Sequence, residues 1–116
     1  MENKICWRVL VAFAFIVLSK QALADASTVI GIGLFRADEP TTRAFLEGMG
    51  QGFDWANTAL RVSGQRPLFC EPQSIVLTVE QRVDILERYY KRNRETGTKP
   101  LGLTLLKSLK EAFPCQ

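Results

Sequence analysis

The chain has 116 residues, no histidine, and 15 Lys and Arg against 12 Asp and Glu, a formal net charge of +3. This length suits one small domain. Without histidine there is no Ser-His or Cys-His nucleophile, no His-ligated metal and no imidazole base, and so slight a charge gives no electrostatic case for nucleic acid.

Residues 1–24 read as a secretory signal. Lys4 and Arg8 precede the apolar run Val9 to Leu18, and Ala22-Leu23-Ala24 is a small-x-small site before Asp25. The apolar run is about half the roughly 20 residues a spanning helix needs. Cleavage after Ala24 would leave residues 25–116 as a periplasmic domain. Removing Lys4, Arg8, Lys20 and Glu2 leaves 12 basic against 11 acidic residues, a net charge of +1. It also leaves Cys70 and Cys115 as the remaining cysteines. Two thiols in an oxidising compartment are expected to pair. Closing a loop of that length is worth roughly 4 kcal/mol in the chain-entropy model.

Residues 28–35, Thr-Val-Ile-Gly-Ile-Gly-Leu-Phe, are apolar, β-branched and Gly-broken. They fit a short strand, a packed extended arm or a weak first helix. Gly31-Ile32-Gly33 lacks the third glycine and the strand-turn-helix setting of a nucleotide fingerprint. Asp38 to Thr42 then reads as a helix start, with Asp38 or Thr41 as cap and Pro40 in the first turn. The helix is expected to run to about Leu60, with Phe45, Met49 and Phe53 on its core face. A second row, Gly48, Gly52 and Ala56, is small. Each mid-helix Gly costs roughly 1 kcal/mol relative to Ala. The expected compensation is close approach of another helix, within the chain or in a homodimer.

Arg61 to Leu77 is a turn-rich connector. Thr78 and Gln81 fit a capping box, and Val79, Val83, Leu86 and Tyr90 form one stripe of a helix over about 79–92. Lys91, Arg92 and Arg94 place cations at its C-terminus, and Gly97 reads as a breaker. Pro100 fits the first turn of a last helix, with Leu101, Leu105, Leu109 and Ala112 on one face. Pro114 ends it and Cys115 follows. The reading is an all-α, small single-domain helical bundle with one disulfide.

Gly48-x-x-x-Gly52, Cys70-x-Pro72, the Thr78/Gln81 helix start, Tyr89-Tyr90 and Leu105-Leu106…Leu109…Ala112-Phe113-Pro114-Cys115 occur in an order that resembles the Rap/Tai immunity proteins of type VI secretion systems. The resemblance covers about residues 42–115. It implies a mostly helical periplasmic protein, not an enzyme, that binds and blocks a secreted peptidoglycan-cleaving amidase effector. The alternative from another class is a small periplasmic chaperone or envelope-stress protein. No cofactor, metal or nucleic-acid partner is expected. Inhibition needs only a preorganised segment that fills a groove, and two connectors are candidates, Arg61 to Leu68 and Asn93 to Lys99. Tyr and Arg are favoured interface anchors, so Arg66, Tyr89, Arg94 and Lys99 are the candidate partner-binding residues.

Overall fold

A computed structural model describes residues 26–116. The expected signal over 1–24 and its cleavage site lie outside them. The described chain folds as α1 (Thr28–Arg36), α2 (Pro40–Val62), α3 (Val79–Arg92), a short 3-10 helix (Arg94–Thr98) and α4 (Leu101–Ala112). The fold is an all-α bundle with one disulfide, between Cys70 and Cys115.

The ambiguous first segment is helical. Ile32 and Phe35, three residues apart, are buried together with Thr28 and Gly31. A nine-residue helix is marginal alone, so tertiary docking holds it. The Thr28 N–H donates to the Lys99 carbonyl at 2.9 Å, and the Leu101 N–H donates to the Ala26 carbonyl at 3.0 Å. The Thr28 hydroxyl also bonds the Lys99 carbonyl and, at 2.8 Å, the Thr104 hydroxyl. Gly31 permits this fit, because a Cβ there would stand 2.5 Å from Leu101 Cδ2.

Glu39, rather than Asp38 or Thr41, caps α2. Its carboxylate accepts from the Thr41 and Thr42 N–H groups. Asp38 takes a left-handed φ of 56°, which Asp tolerates better than most residues. With 23 residues, α2 is about 34 Å long. Leu46 is buried, and Phe45, Met49 and Phe53 pack against the core from its edge.

Helix α3 begins with the expected capping box, the Gln81 N–H on the Thr78 hydroxyl and the Thr78 N–H on the Gln81 side chain. Val83 and Leu86 are fully buried, and Val79 and Tyr90 partly so. Helix α4 buries Leu101, Leu105 and Leu109, while Ala112 ends exposed rather than on that face. The disulfide ties the connector before α3 to the end of α4, and the Cys70 N–H adds a 2.8 Å bond to the Phe113 carbonyl.

The glycine row of α2 needs correction. No atom comes within 4 Å of a Cβ placed on Gly48 or Gly52. Both are exposed and Ala56 is only half-buried, so among the described residues no helix lies close against this row. The close approach is at Gly50, where a Cβ would meet Arg82 Nη1 at 2.1 Å. Gly50 lies about 160° around the helix from Gly48 at 100° per residue, on the side that α3 crosses.

Candidate functional site

The structure does not bring the four sequence candidates together. Arg66 lies at the disulfide end, its guanidinium donating to the Cys115 carbonyl at 3.0 Å. Arg94 lies over the Tyr90 ring, 4.9 Å from its centroid, at the far end of α3. Lys99 follows the 3-10 helix there, its carbonyl taken by Thr28. Helix α3 has 14 residues, so about 21 Å separates the two ends. Tyr89 is half-buried, and its carbonyl accepts from the Asn93 side chain at 2.9 Å.

The two candidate connectors are held differently. Residues 94–98 form a helix with Thr96 and Gly97 buried, and a Cβ on Gly97 would stand 3.0 Å from the Tyr90 ring. This segment is the seat of α1, so it cannot enter a partner's groove without releasing α1. The other connector is held only at its end, by Asn57, which is 3% exposed. Its amide accepts from the Leu68 N–H at 2.7 Å and donates to the Phe69 carbonyl at 3.0 Å. Residues 94–98 are thus tied to α1, whereas residues 61–66 stay at the surface.

The segment that does project is Glu71 to Leu77. Val76 is 89% exposed and Ile75 43%. Cys70 fixes one end covalently and the capping box fixes the other. Between them the Ile75 N–H closes a turn onto the Pro72 carbonyl at 3.0 Å. Sequence reasoning passed over this tip. Its signal was Ile75-Val76-Leu77, three aliphatics in a row inside a connector. With Thr78 committed to a cap, only Leu77 turns partly inward.

A cleft of about 400 Å³ runs beside the tip, between Glu47, Gln51 and Asp54 of α2 and Val76 to Glu80 and Arg82. All its lining charges but Glu47 are paired internally. Arg82, 5% exposed, reaches Asp54 at 2.8 Å. Arg43 bridges to Glu80 and Asp38, and its hydrogen bond holds the Glu80 carboxyl below its ordinary range. Burial pushes the Glu71 carboxyl up, and the charge of Asp54 adds to this, while Arg82 and Arg61 oppose it. Among the described residues Glu47 lines the cleft without an ion-pair partner, and Val76 is the cleft's most exposed apolar group. Among the described residues, no three of Asp, Glu and Cys gather to hold a metal ion.

A second exposed region lies on the outer face of α2, where Trp55 is 74% and Val62 84% exposed. Trp55 borders a shallow depression with Gln51, Asp54 and Thr58. Comparison with protein-family models, with curated proteins and with solved structures gave no match.

Proposed function

We propose that this chain is an exported immunity protein that binds a secreted peptidoglycan-hydrolysing amidase and occludes its substrate groove. The observation that carries the reading is the Ile75-Val76 tip, an exposed apolar projection fixed by a disulfide on one side and a capping box on the other. A preorganised tip loses little conformational freedom on insertion, which favours tight binding. Neutralising a toxin at low dose calls for a Kd of nM or below, about 12 kcal/mol or more. That energy concentrates in a few anchors, and Val76 with Ile75 are the residues placed for the task. The resemblance over residues 42–115 and the secretory features of residues 1–24 support the same reading.

The test is co-expression in the periplasm of candidate hydrolases encoded nearby, with and without this chain. Wild type should restore growth. Val76→Asp should abolish rescue while leaving the disulfide and the melting temperature unchanged. Rescue by Val76→Asp at wild-type level would remove the tip from the mechanism. Failure to bind any such hydrolase, together with suppression of aggregation of unrelated proteins, would replace this reading with the chaperone alternative.

A further inference from the structure

We infer that the face of α2 around Trp55 is a saccharide-binding platform, on which the indole stacks against a neutral pyranose ring while Gln51, Asp54 and Thr58 hydrogen-bond its hydroxyls. The inference is independent of the inhibitory role.

Gln51, Asp54, Trp55 and Thr58 stand at i, i+3, i+4 and i+7 of α2, so they share one face over two turns. Together they line a depression of about 320 Å³, near the lower end of the roughly 300–1,000 Å³ of small-ligand sites. Trp55 is 74% exposed. Its other flank carries little bulk, because Gly52 has open space where a Cβ would go and Ala59 is small and exposed. The lining is therefore one large aromatic surface and three hydrogen-bonding side chains, with no aliphatic group among them. A wholly apolar partner would strip water from those three and leave them unbonded, which is costly. A pyranose ring matches both halves. Its C–H groups give an apolar face for the indole, and its hydroxyls form a rim that donates and accepts.

The polar half is fixed before any ligand arrives. Asp54 Oδ2 accepts from Arg82 Nη2 at 2.8 Å, and Arg82 is itself buried where it lies across Gly50. The Asp54 side chain is still 41% exposed, and a carboxylate has about four lone-pair sites, so acceptor capacity remains for a sugar hydroxyl. The Thr58 hydroxyl donates to the Asp54 carbonyl at 2.9 Å, which leaves its own oxygen to accept. Gln51 is exposed and brings both a donor and an acceptor. The same balance selects a neutral sugar. Arg82 offsets the Asp54 charge, and the lining itself holds neither a cation for an acidic sugar nor a second carboxylate for an ammonium group.

The full chain is expressed, and the soluble oxidised protein it yields, with its intact mass recorded, is titrated calorimetrically with chitohexaose, cellohexaose and maltohexaose. The three arms separate amino-sugar from glucose chains and β- from α-linkage. At least one should bind with a Kd of about 1 mM or tighter. Trp7 and Trp55 are the two tryptophans, so a product beginning at Asp25 reports the stacked ring through Trp55 fluorescence alone. Trp55→Ala should weaken binding by about 10-fold or more, and Gln51→Ala by about 2- to 10-fold, the loss of one hydrogen bond. Circular dichroism and the intact disulfide establish folding of each variant. A folded wild type that binds none of the three at about 10 mM sugar overturns the inference. So does binding that Trp55→Ala leaves unchanged, which would place the sugar elsewhere. Binding of tetramethylammonium in place of every sugar would make the platform a cation site and overturns it too. No hydrolase enters the titration, so its outcome bears on the platform alone.

Discussion

Helix α4 buries its whole leucine row, Leu101, Leu105 and Leu109, whereas α2 turns Gly48, Gly52, Trp55, Ala59 and Val62 to solvent. The two helices differ in their surroundings. Helix α4 lies against α3 along its length, touches α1, and is held at its end by Cys115. Helix α2 meets α1 and α3, and α4 only where Met49 lies against Gly102. One amphipathic face is enough to dock a helix. A second row of apolar and small residues on the same helix is surplus to the fold of the single chain. Among the described residues, the apolar groups that folding does not use are on the outer face of α2 and at the tip at Val76.

The covalent contact is the sharpest way to break the closed side. Cys115→Ser releases the connector from the end of α4 and should lower stability by about 2–5 kcal/mol, the range for a native disulfide in a small secreted domain. Denaturant unfolding measures this directly. A loss below 1 kcal/mol would mean that the Cys70–Phe113 backbone bond and the Asn57 clamp hold the connector by themselves.

The two sides of α2 can be compared through its own glycines. Gly50→Ala puts a methyl group into the Arg82 guanidinium, whose Nη2 is held by Asp54 at 2.8 Å. Displacing a side chain that is 5% exposed should cost about 1–3 kcal/mol, as overpacking does. Gly48→Ala, two residues away, meets open space. It should gain up to about 1 kcal/mol in the monomer from helix propensity. Melting temperatures at low protein concentration give both signs. Equal effects at the two positions would contradict the assignment of the close approach to Gly50.

Much of the fold was legible from periodicity and from the residues that punctuate it. The Thr78/Gln81 capping box fixed the start of α3, the leucine spacing fixed α4, and two cysteines remaining once residues 1–24 are read as a secretory signal pointed to the crosslink. Where the reading failed, the deciding atoms came from elsewhere in the chain. Residues 28–35 are too short and too uniformly apolar for periodicity to separate strand from helix, and the choice is made by Lys99, Leu101 and Thr104. Gly48, Gly50 and Gly52 are equivalent as letters, and only the path of Arg82 distinguishes them. Arg66, Tyr89, Arg94 and Lys99 were grouped by chemistry, whereas position divides them between opposite ends of a helix. The tip at Ile75-Val76 was the legible clue left unused, because a run of aliphatics usually signals core.

The start of α2 offers the smallest and most specific test. Asp38, Glu39 and Thr41 all suit a cap by composition, and the structure selects Glu39 through the Thr41 and Thr42 N–H groups. Thr42, through its nearby hydroxyl and its donating backbone N–H, holds the Glu39 carboxyl near 2, against an ordinary 4.5. A carboxyl held lower in the folded chain binds fewer protons there than in the unfolded chain between those two values. Stability from this group is therefore complete above about 4.5 and lost as the pH falls toward about 2. Glu39→Gln keeps an acceptor oxygen but removes the charge that the helix N-terminus favours. The variant should melt slightly below wild type at pH 6, and the gap should close as both are acidified through that window. Solvent exposure of the cap keeps the effect modest. A gap that persists unchanged to pH 2 would mean that the charge of Glu39 contributes nothing, and that the cap works through hydrogen-bond geometry alone.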